Sequence, residues 1–254
     1  MVKGLDARGR RFLVTGGTSG IGAEIVRQLI DAEAQVAFCG LTDEGSAALC
    51  ERAVGACYFE AFDLTDLTRT RTFAQNALEA LGGLDGLVNN AGTNFFRGVV
   101  GSTQADLQRC FDLNFYPAWA LAQEAYASLK ASQGIIVTIS SIHAEKTVAG
   151  SFPYNASKAA LSALTKSLAL EWGGDGIRAV AVAPALILTP LADAFFEAQT
   201  DPRGERDRLG KDHPVGHAGR PEDVASLVLY LLGGGNTFIS GTTITVDGGI
   251  SARL

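Results

Sequence analysis

With 254 residues, 47% of them apolar and 19% charged, the chain is long and apolar enough for one large α/β domain or two small ones, and it is not a disordered polymer. A formal net charge of −6 and a pI near 5.1 argue against nucleic-acid or anionic-membrane binding, because the Lys and Arg residues are scattered and the Arg8-Gly-Arg-Arg11 cluster is short. Met1-Val-Lys-Gly-Leu-Asp6 lacks the apolar stretch of a secretion signal; the longest apolar run, 179–188, contains Pro184 and is too short for a membrane span; and Cys39, Cys50, Cys57 and Cys110 show no metal-ligand spacing, so a cytoplasmic protein with reduced, buried thiols is expected.

Residues 11–15 read as a short apolar strand running into Gly16-Gly-Thr-Ser-Gly-Ile-Gly22, with a helix to about 33. A second strand covers 35–40, a helix 46–53, and a third strand 57–61. The next helix, 66–80, carries Leu67, Phe73, Ala74, Ala77 and Leu78 at helical spacing. A fourth strand at 84–89 leads into one long helix over about 103–130, then a fifth strand at 134–139. A helix starting at Tyr154 ends near 172, before a sixth strand at 177–183. Residues 193–217 break this rhythm, being charged and longer than an ordinary connection, so a lid over about 186–217 is expected. Pro221 opens a helix to 232, and 242–246 is a last strand. The alternation predicts right-handed crossovers and a doubly wound parallel sheet between two helix layers, in a single domain spanning 1–254.

The turn Thr15-Gly16-x-x-x-Gly20-x-Gly22 falls on the first strand–helix junction. Glycines there let the backbone approach a pyrophosphate, and the helix N-terminus adds amides and partial positive charge. Asp63-Leu64 ends the third strand, where a carboxylate can accept from an adenine amino group. Asn89-Asn90-Ala91-Gly92 ends the fourth strand, at the carboxyl edge where such sheets bind ligands.

Tyr154 and Lys158 stand one helical turn apart, on one face. An ammonium beside the phenol favours the phenolate, which would lower the tyrosine from its usual value of about 10 toward the range of a general acid/base. Ser141 would hold the substrate oxygen that exchanges the proton. Taken alone the pair is an ordinary helix face; its weight comes from its neighbours.

Together these motifs resemble the short-chain dehydrogenase/reductase family, in its single-domain Rossmann form, over nearly the whole chain. The resemblance implies NAD or NADP held by Gly16, Thr18, Ser19, Gly20, Ile21 and Gly22 of the turn, by Leu41 after the second strand, and by Asp63 and Leu64 on the adenine side. It also implies roles for Asn90, Ala91 and Gly92, and a catalytic tetrad of Asn114, Ser141, Tyr154 and Lys158. In that scheme Tyr154 transfers a proton as hydride crosses at the nicotinamide, and Ser141 positions the substrate oxygen. Lys158 lowers the tyrosine pKa and binds the nicotinamide ribose, while Asn114, inside the predicted long helix, helps hold a water of a proton relay. Pro184-Ala-Leu-Ile187-Leu-Thr189 resembles the segment whose backbone at Ile187 and hydroxyl at Thr189 meet the nicotinamide amide and phosphate. Ala185 stands where the family usually has glycine, and a small shift in binding is expected from it. A homotetramer or homodimer built on the long helices is also implied.

After the second strand the chain reads Cys39-Gly40-Leu41-Thr42-Asp43-Glu44, with neither an acid nor an arginine at Gly40 or Leu41 and no base at Thr18 or Ser19. This leans to NAD, while Gly40 leaves room for a phosphate and keeps NADP open. Pocket candidates are Asn94, Phe95, Phe96, Arg97, His143, Phe152 and the lid, with His143 and Arg97 as substrate-binding groups. Their polarity tilts the expectation to a hydroxylated substrate, a sugar or polyol, over a steroid. Gln133 and Asp175 stand where relatives reducing acyl-carrier-protein substrates are basic, which weighs against a 3-oxoacyl reductase. The intact tetrad disfavours a cofactor-binding sensor without turnover, and the glycine turn with Lys158 disfavours a nicotinamide-independent dehalogenase or lyase.

Overall fold

The computed structural model describes residues 7–43 and 45–253; Glu44, weighed above for the cofactor, lies outside them. Seven parallel strands form one sheet in the order β3-β2-β1-β4-β5-β6-β7: β1 (Arg11–Thr15), β2 (Gln35–Gly40), β3 (Cys57–Ala61), β4 (Gly86–Asn89), β5 (Ile135–Ile139), β6 (Arg178–Pro184) and β7 (Thr242–Val246). The helices are α1 (Gly20–Asp31), α2 (Ser46–Glu51), α3 (Leu67–Leu81), α4 (Gln104–Asn114), α5 (Tyr116–Ser132), α6 (Tyr154–Trp172), α7 (Pro190–Glu197), α8 (Pro202–Lys211) and α9 (Pro221–Leu232). This is the doubly wound Rossmann-like α/β fold.

Continuous apolar strands serve two cores because successive side chains point to opposite faces. Phe12, Val14, Val36 and Phe38 pack against Ile25 and Leu29 of α1 and Val228 of α9. Leu13, Ala37 and Leu87 pack the other way, against Phe73 of α3, Leu121 of α5 and Leu168 of α6. β1 has β2 on one side and β4 on the other, so the chain reverses its winding between β1 and β4 and leaves a crevice at their carboxyl ends.

Local sequence sets the helix ends. Asp66 caps α3 by accepting from the Arg69 amide at 3.0 Å, and Gly82 closes it at φ 66°. Thr103 and Asp106 form a capping box on α4. Pro190, Pro202 and Pro221 each open a helix.

Three expectations change. The single helix expected over 103–130 is broken at Phe115 (φ −121°, ψ −55°) into α4 and α5. Pro117 has no amide to continue the ladder, and the Asn114 side chain is drawn off to Thr93, so Asn114 ends a helix and does not sit inside one. The break in rhythm at 193–217 is no structureless loop: Thr189 and Asp201 cap two short helices there. The expectation of four reduced thiols also fails. Cys50 and Cys57 are joined in a disulfide with Cα atoms 5.4 Å apart, because the chain returns directly from α2 into β3; Cys39 and Cys110 are buried free thiols. Among the described residues no helix is long and apolar enough to cross a membrane.

Phe73 is fully buried, 5.3 Å from the Phe62 ring and 6.2 Å from that of Tyr58. Phe73→Ala is expected to lower the unfolding free energy by about 3–5 kcal/mol, read from urea denaturation.

Candidate active site

The cradle at the head of the β1–β4 crevice is built by close backbone approach. Thr15 is buried, and its hydroxyl accepts from the Asn90 and Ala91 amides, both at 3.0 Å, which ties the end of β1 to the end of β4. The Asn90 side chain donates back to the Thr15 carbonyl at 2.9 Å and the Gly16 carbonyl at 3.3 Å. Gly16 leaves β1 at φ 65°, a left-handed turn that glycine adopts without strain. A Cβ on Gly22 would lie 2.0 Å from the Gly16 carbonyl oxygen, so the first turn of α1 packs on the loop only because that position is bare. Ser19, the N-cap of α1, makes no side-chain cap bond, which leaves the leading amides of the helix free of side-chain partners and suited to an anionic group. Thr189 seals the other side: its methyl would be 3.1 Å from a Cβ on Gly20, while its hydroxyl caps α7 through the Ala192 amide. A dinucleotide pyrophosphate fits this donor set.

The remaining cofactor candidates line the same edge. Leu64 is buried, Leu41 is 73% exposed, and Asp63 is exposed with one carboxylate oxygen accepting from the Thr65 amide at 2.9 Å. The room expected beside Gly40 is already filled, since a Cβ there would lie 2.3 Å from the Thr18 hydroxyl oxygen. Ile187 pairs with Gly219 in a parallel bridge, and Ala185 has no positive φ, so alanine sits there without strain.

Asn114, Lys158 and Gly92 meet below this edge. A Cβ on Gly92 would lie 3.1 Å from Asn114 Oδ1 and 3.3 Å from Lys158 Nζ. Asn114 accepts from the Thr93 amide at 3.0 Å and donates to the Thr93 carbonyl and the Ser157 hydroxyl, both at 3.1 Å. Ser157 in turn donates to the Tyr154 carbonyl at 2.7 Å. Lys158 is 4% exposed and donates to the Ile139 carbonyl at 2.9 Å, with Nζ 5.7 Å from the centre of the Tyr154 ring. Ser141 caps the turn Ile142–Ala144 by accepting from the His143 amide at 3.2 Å, and its hydroxyl favours the ionised form of Tyr154.

The expected lowering of the tyrosine pKa is not found. Burial pushes the Tyr154 phenol up to about 12, and the Ser141 hydroxyl offsets only part of this. Burial also pushes Lys158 down to about 8. Desolvation is the largest cause for both groups, and the Ile139 carbonyl, which accepts from the ammonium, favours the charged lysine without offsetting it.

Backbone bonds fix the loop before Tyr154 against the loop after β4. Phe96 bridges Pro153, the Arg97 amide donates to Phe152 at 3.0 Å, and the Tyr154 amide donates to Phe95 at 3.3 Å. The Phe96 ring therefore stands edge-on to Tyr154 (5.3 Å), His143 (6.0 Å) and Phe195 of α7 (6.3 Å). His143 is within 3.3 Å of the Thr147 hydroxyl, and burial lowers its pKa below the usual value. Arg97, expected at the substrate, is exposed and faces Asp106 at 3.9 Å, because the strand-like pairing of 96 and 97 with 152 and 153 turns alternate side chains to opposite sides. Sequence reasoning passed over Ser157 and Phe195. Ser157 lay inside the Tyr-to-Lys motif, and Phe195-Phe196 was an apolar pair opening an otherwise charged stretch.

The chain belongs to the short-chain dehydrogenase/reductase family and is an NAD(P)-dependent oxidoreductase. A family model of that group, described as enoyl-(acyl carrier protein) reductase, matches residues 16–251. An L-fucose dehydrogenase of Mus musculus is 33% identical over 95% of this chain and 88% of its own. A tropinone reductase homolog of Datura stramonium is 35% identical over 97% and 93%. A 7α-hydroxysteroid dehydrogenase solved with NADH and 7-oxo glycochenodeoxycholic acid superposes with a TM-score of 0.88 at 29% identity, over 96% of this chain and 95% of that one. These three names carry three different substrates at similar identity, so they fix the reaction class, secondary alcohol and ketone interconversion, and leave the substrate open.

Two outcomes test this geometry. Gly22→Ala is expected to raise the dissociation constant for NADH more than about tenfold, read by fluorescence titration, because the loop and α1 must separate. The second concerns pH. An unfolded lysine titrates near 10.5 and buried Lys158 near 8, so between these values the unfolded chain keeps a proton that the folded protein has lost. Raising the pH through this window favours the folded state. The unfolding free energy of the native protein minus that of Lys158→Met should therefore rise from pH 8 to pH 10.5; a flat or falling difference contradicts the burial assignment.

Proposed function

We propose that the enzyme interconverts a secondary alcohol bearing further hydroxyl groups, a sugar or polyol, and its carbonyl compound, with Tyr154 as general acid/base and NAD as the preferred cofactor. The observation that carries this reading is Tyr154 beside buried Ser141, Lys158 and Asn114, with Lys158 Nζ 5.7 Å from the centre of the Tyr154 ring, at the same sheet edge as the glycine cradle. Nicotinamide, when bound, accepts or supplies the hydride. Ser141 and Tyr154 hold the substrate oxygen between them. A phenol kept protonated by burial is the donor needed when a carbonyl is reduced. In the reverse direction the same oxygen takes the alcohol proton, which a charged Lys158 favours. Asn114, fixed through Thr93 and Ser157, holds the floor of the lysine site.

The Thr18 packing against Gly40 and the exposed Leu41 support NAD: a 2′-phosphate would meet no cation at 18, 19 or 40–43, and Asp43 stands nearby. A neutral His143 supports a hydroxylated substrate, and the relative named for L-fucose agrees with it. Arg97 is left out of the substrate site. Asp175, which accepts from Tyr126 at 2.5 Å and pairs Lys130 at 2.8 Å, weighs against an acyl-carrier-protein partner. Half-exposed Leu107 of α4 and Trp119 of α5 support a homotetramer or homodimer built on these helices. The proposed cytoplasmic location rests on composition, and the Cys50–Cys57 bond does not support it.

Tyr154→Phe should lower turnover about a hundredfold to ten-thousandfold in a 340 nm assay over secondary alcohols, sugars and ketones with both cofactors. A near-native rate sinks the tyrosine assignment, and cofactor binding with no turnover anywhere in the panel would favour a sensor.

A further inference from the structure

We infer that the substrate of this site is an uncharged ring compound, a cyclic secondary alcohol or its ketone carrying a second oxygen, seated against the Phe96 ring in the place that Phe195 fills here. The inference rests on the oxidoreductase reading above and narrows it.

Access to Tyr154 is governed by rings. Phe96 is held by its backbone bridge to Pro153, so its ring is a fixed wall beside the phenol. Phe195 belongs to α7, which is fastened to α8: Asp193 pairs with Arg206 at 2.9 Å, and Arg206 also lies 5.8 Å from the centre of the Phe196 ring. These two helices form one cover whose inner contact with the site is the edge of Phe195 on Phe96. A substrate reaching Tyr154 parts those rings and exposes apolar surface on both. Only a ligand with a broad apolar face restores the lost burial, and the C–H face of a ring does so, whereas an extended polyol presents hydroxyls all along its length.

Charge argues the same way. Phe96 and Phe195 are neutral, and His143, 6.1 Å from Tyr154 between ring centres, is held neutral by burial. The nearby ions are turned to other partners: Arg97 faces Asp106, Asp193 faces Arg206, and Lys146 donates to the Ser251 carbonyl. The one cation beside Tyr154 among the groups named here, Lys158, already donates to the Ile139 carbonyl, so a carboxylate brought in would be desolvated without a counter-charge of its own, which is costly. A neutral imidazole has one donor and one acceptor nitrogen, and a hydroxyl or ring oxygen satisfies it in either tautomer.

The test compares kcat/KM at 340 nm, with both cofactors, for cyclohexane-1,2-diol and a hexopyranose, for hexane-2,3-diol as the open-chain match, and for 2-hydroxycyclohexanecarboxylate as the charged match. The neutral rings should be favoured over both matches by at least about tenfold. Phe96→Ala and Phe195→Ala should each shrink the ring-to-chain ratio by about tenfold, and Phe195→Leu, which keeps an apolar residue on α7, should shrink it less. Preference for the open chain or the carboxylate, or a ratio unchanged in both alanine variants, overturns the inference while leaving the oxidoreductase reading in place. No turnover of any of these alcohols or of the corresponding ketones overturns both.

Discussion

The Thr15 hydroxyl, accepting from two consecutive amides at the end of β4, is the contact on which the site depends. It closes the gap between the two strands that flank the reversal of winding, and it leaves Asn90 free to clamp the glycine turn from the side. The turn can then pass so close to α1 that Gly22 admits no side chain. Two half-buried amides would otherwise lack a protein partner. The same end of β4 continues into Gly92, whose bare Cα leaves room beside Lys158 and Asn114, and into Thr93, whose amide and carbonyl pair with the Asn114 side chain. The proposed nucleotide cradle and the proposed proton-transfer group are thus two sides of one short segment, 90–93.

Burial is the second constraint, and it has opposite effects on the two ionisable partners. It raises the phenol of Tyr154 and lowers the ammonium of Lys158, moving both groups toward their neutral forms. A neutral phenol beside a lysine that titrates near 8 is a proton donor with a nearby group able to change charge around physiological pH. Ser157 and Asn114 matter here as scaffolding: they tie α6 to the end of α4 and keep the lysine floor closed.

Much of this was legible in the chain. Strand and helix alternation gave the sheet, because apolar runs of four to seven residues covered on both faces have few other uses. The glycine turn was readable since its spacing meets a geometric need at Gly16 and Gly22. What escaped depended on long-range pairing. The break at Phe115 follows from an asparagine finding Thr93, and no periodicity in α4 announces that contact. The tyrosine pKa departs from expectation because spacing reveals the neighbouring charge and conceals the depth of burial. Arg97 looked like a substrate group until its pairing with the loop before Tyr154 turned it toward Asp106. Cys50 and Cys57 looked like core thiols because the return from α2 to β3 has no signature in their spacing.

The tie between β1 and β4 is what the cofactor cradle depends on most directly. NADH affinity of Thr15→Val and Thr15→Ser, measured by calorimetric titration on samples with native far-UV circular dichroism, isolates the hydroxyl from the shape of the side chain. Loss of more than about tenfold in the valine variant, with the serine variant close to the native protein, is the predicted result. A valine variant that binds NADH as tightly as the native protein would contradict it.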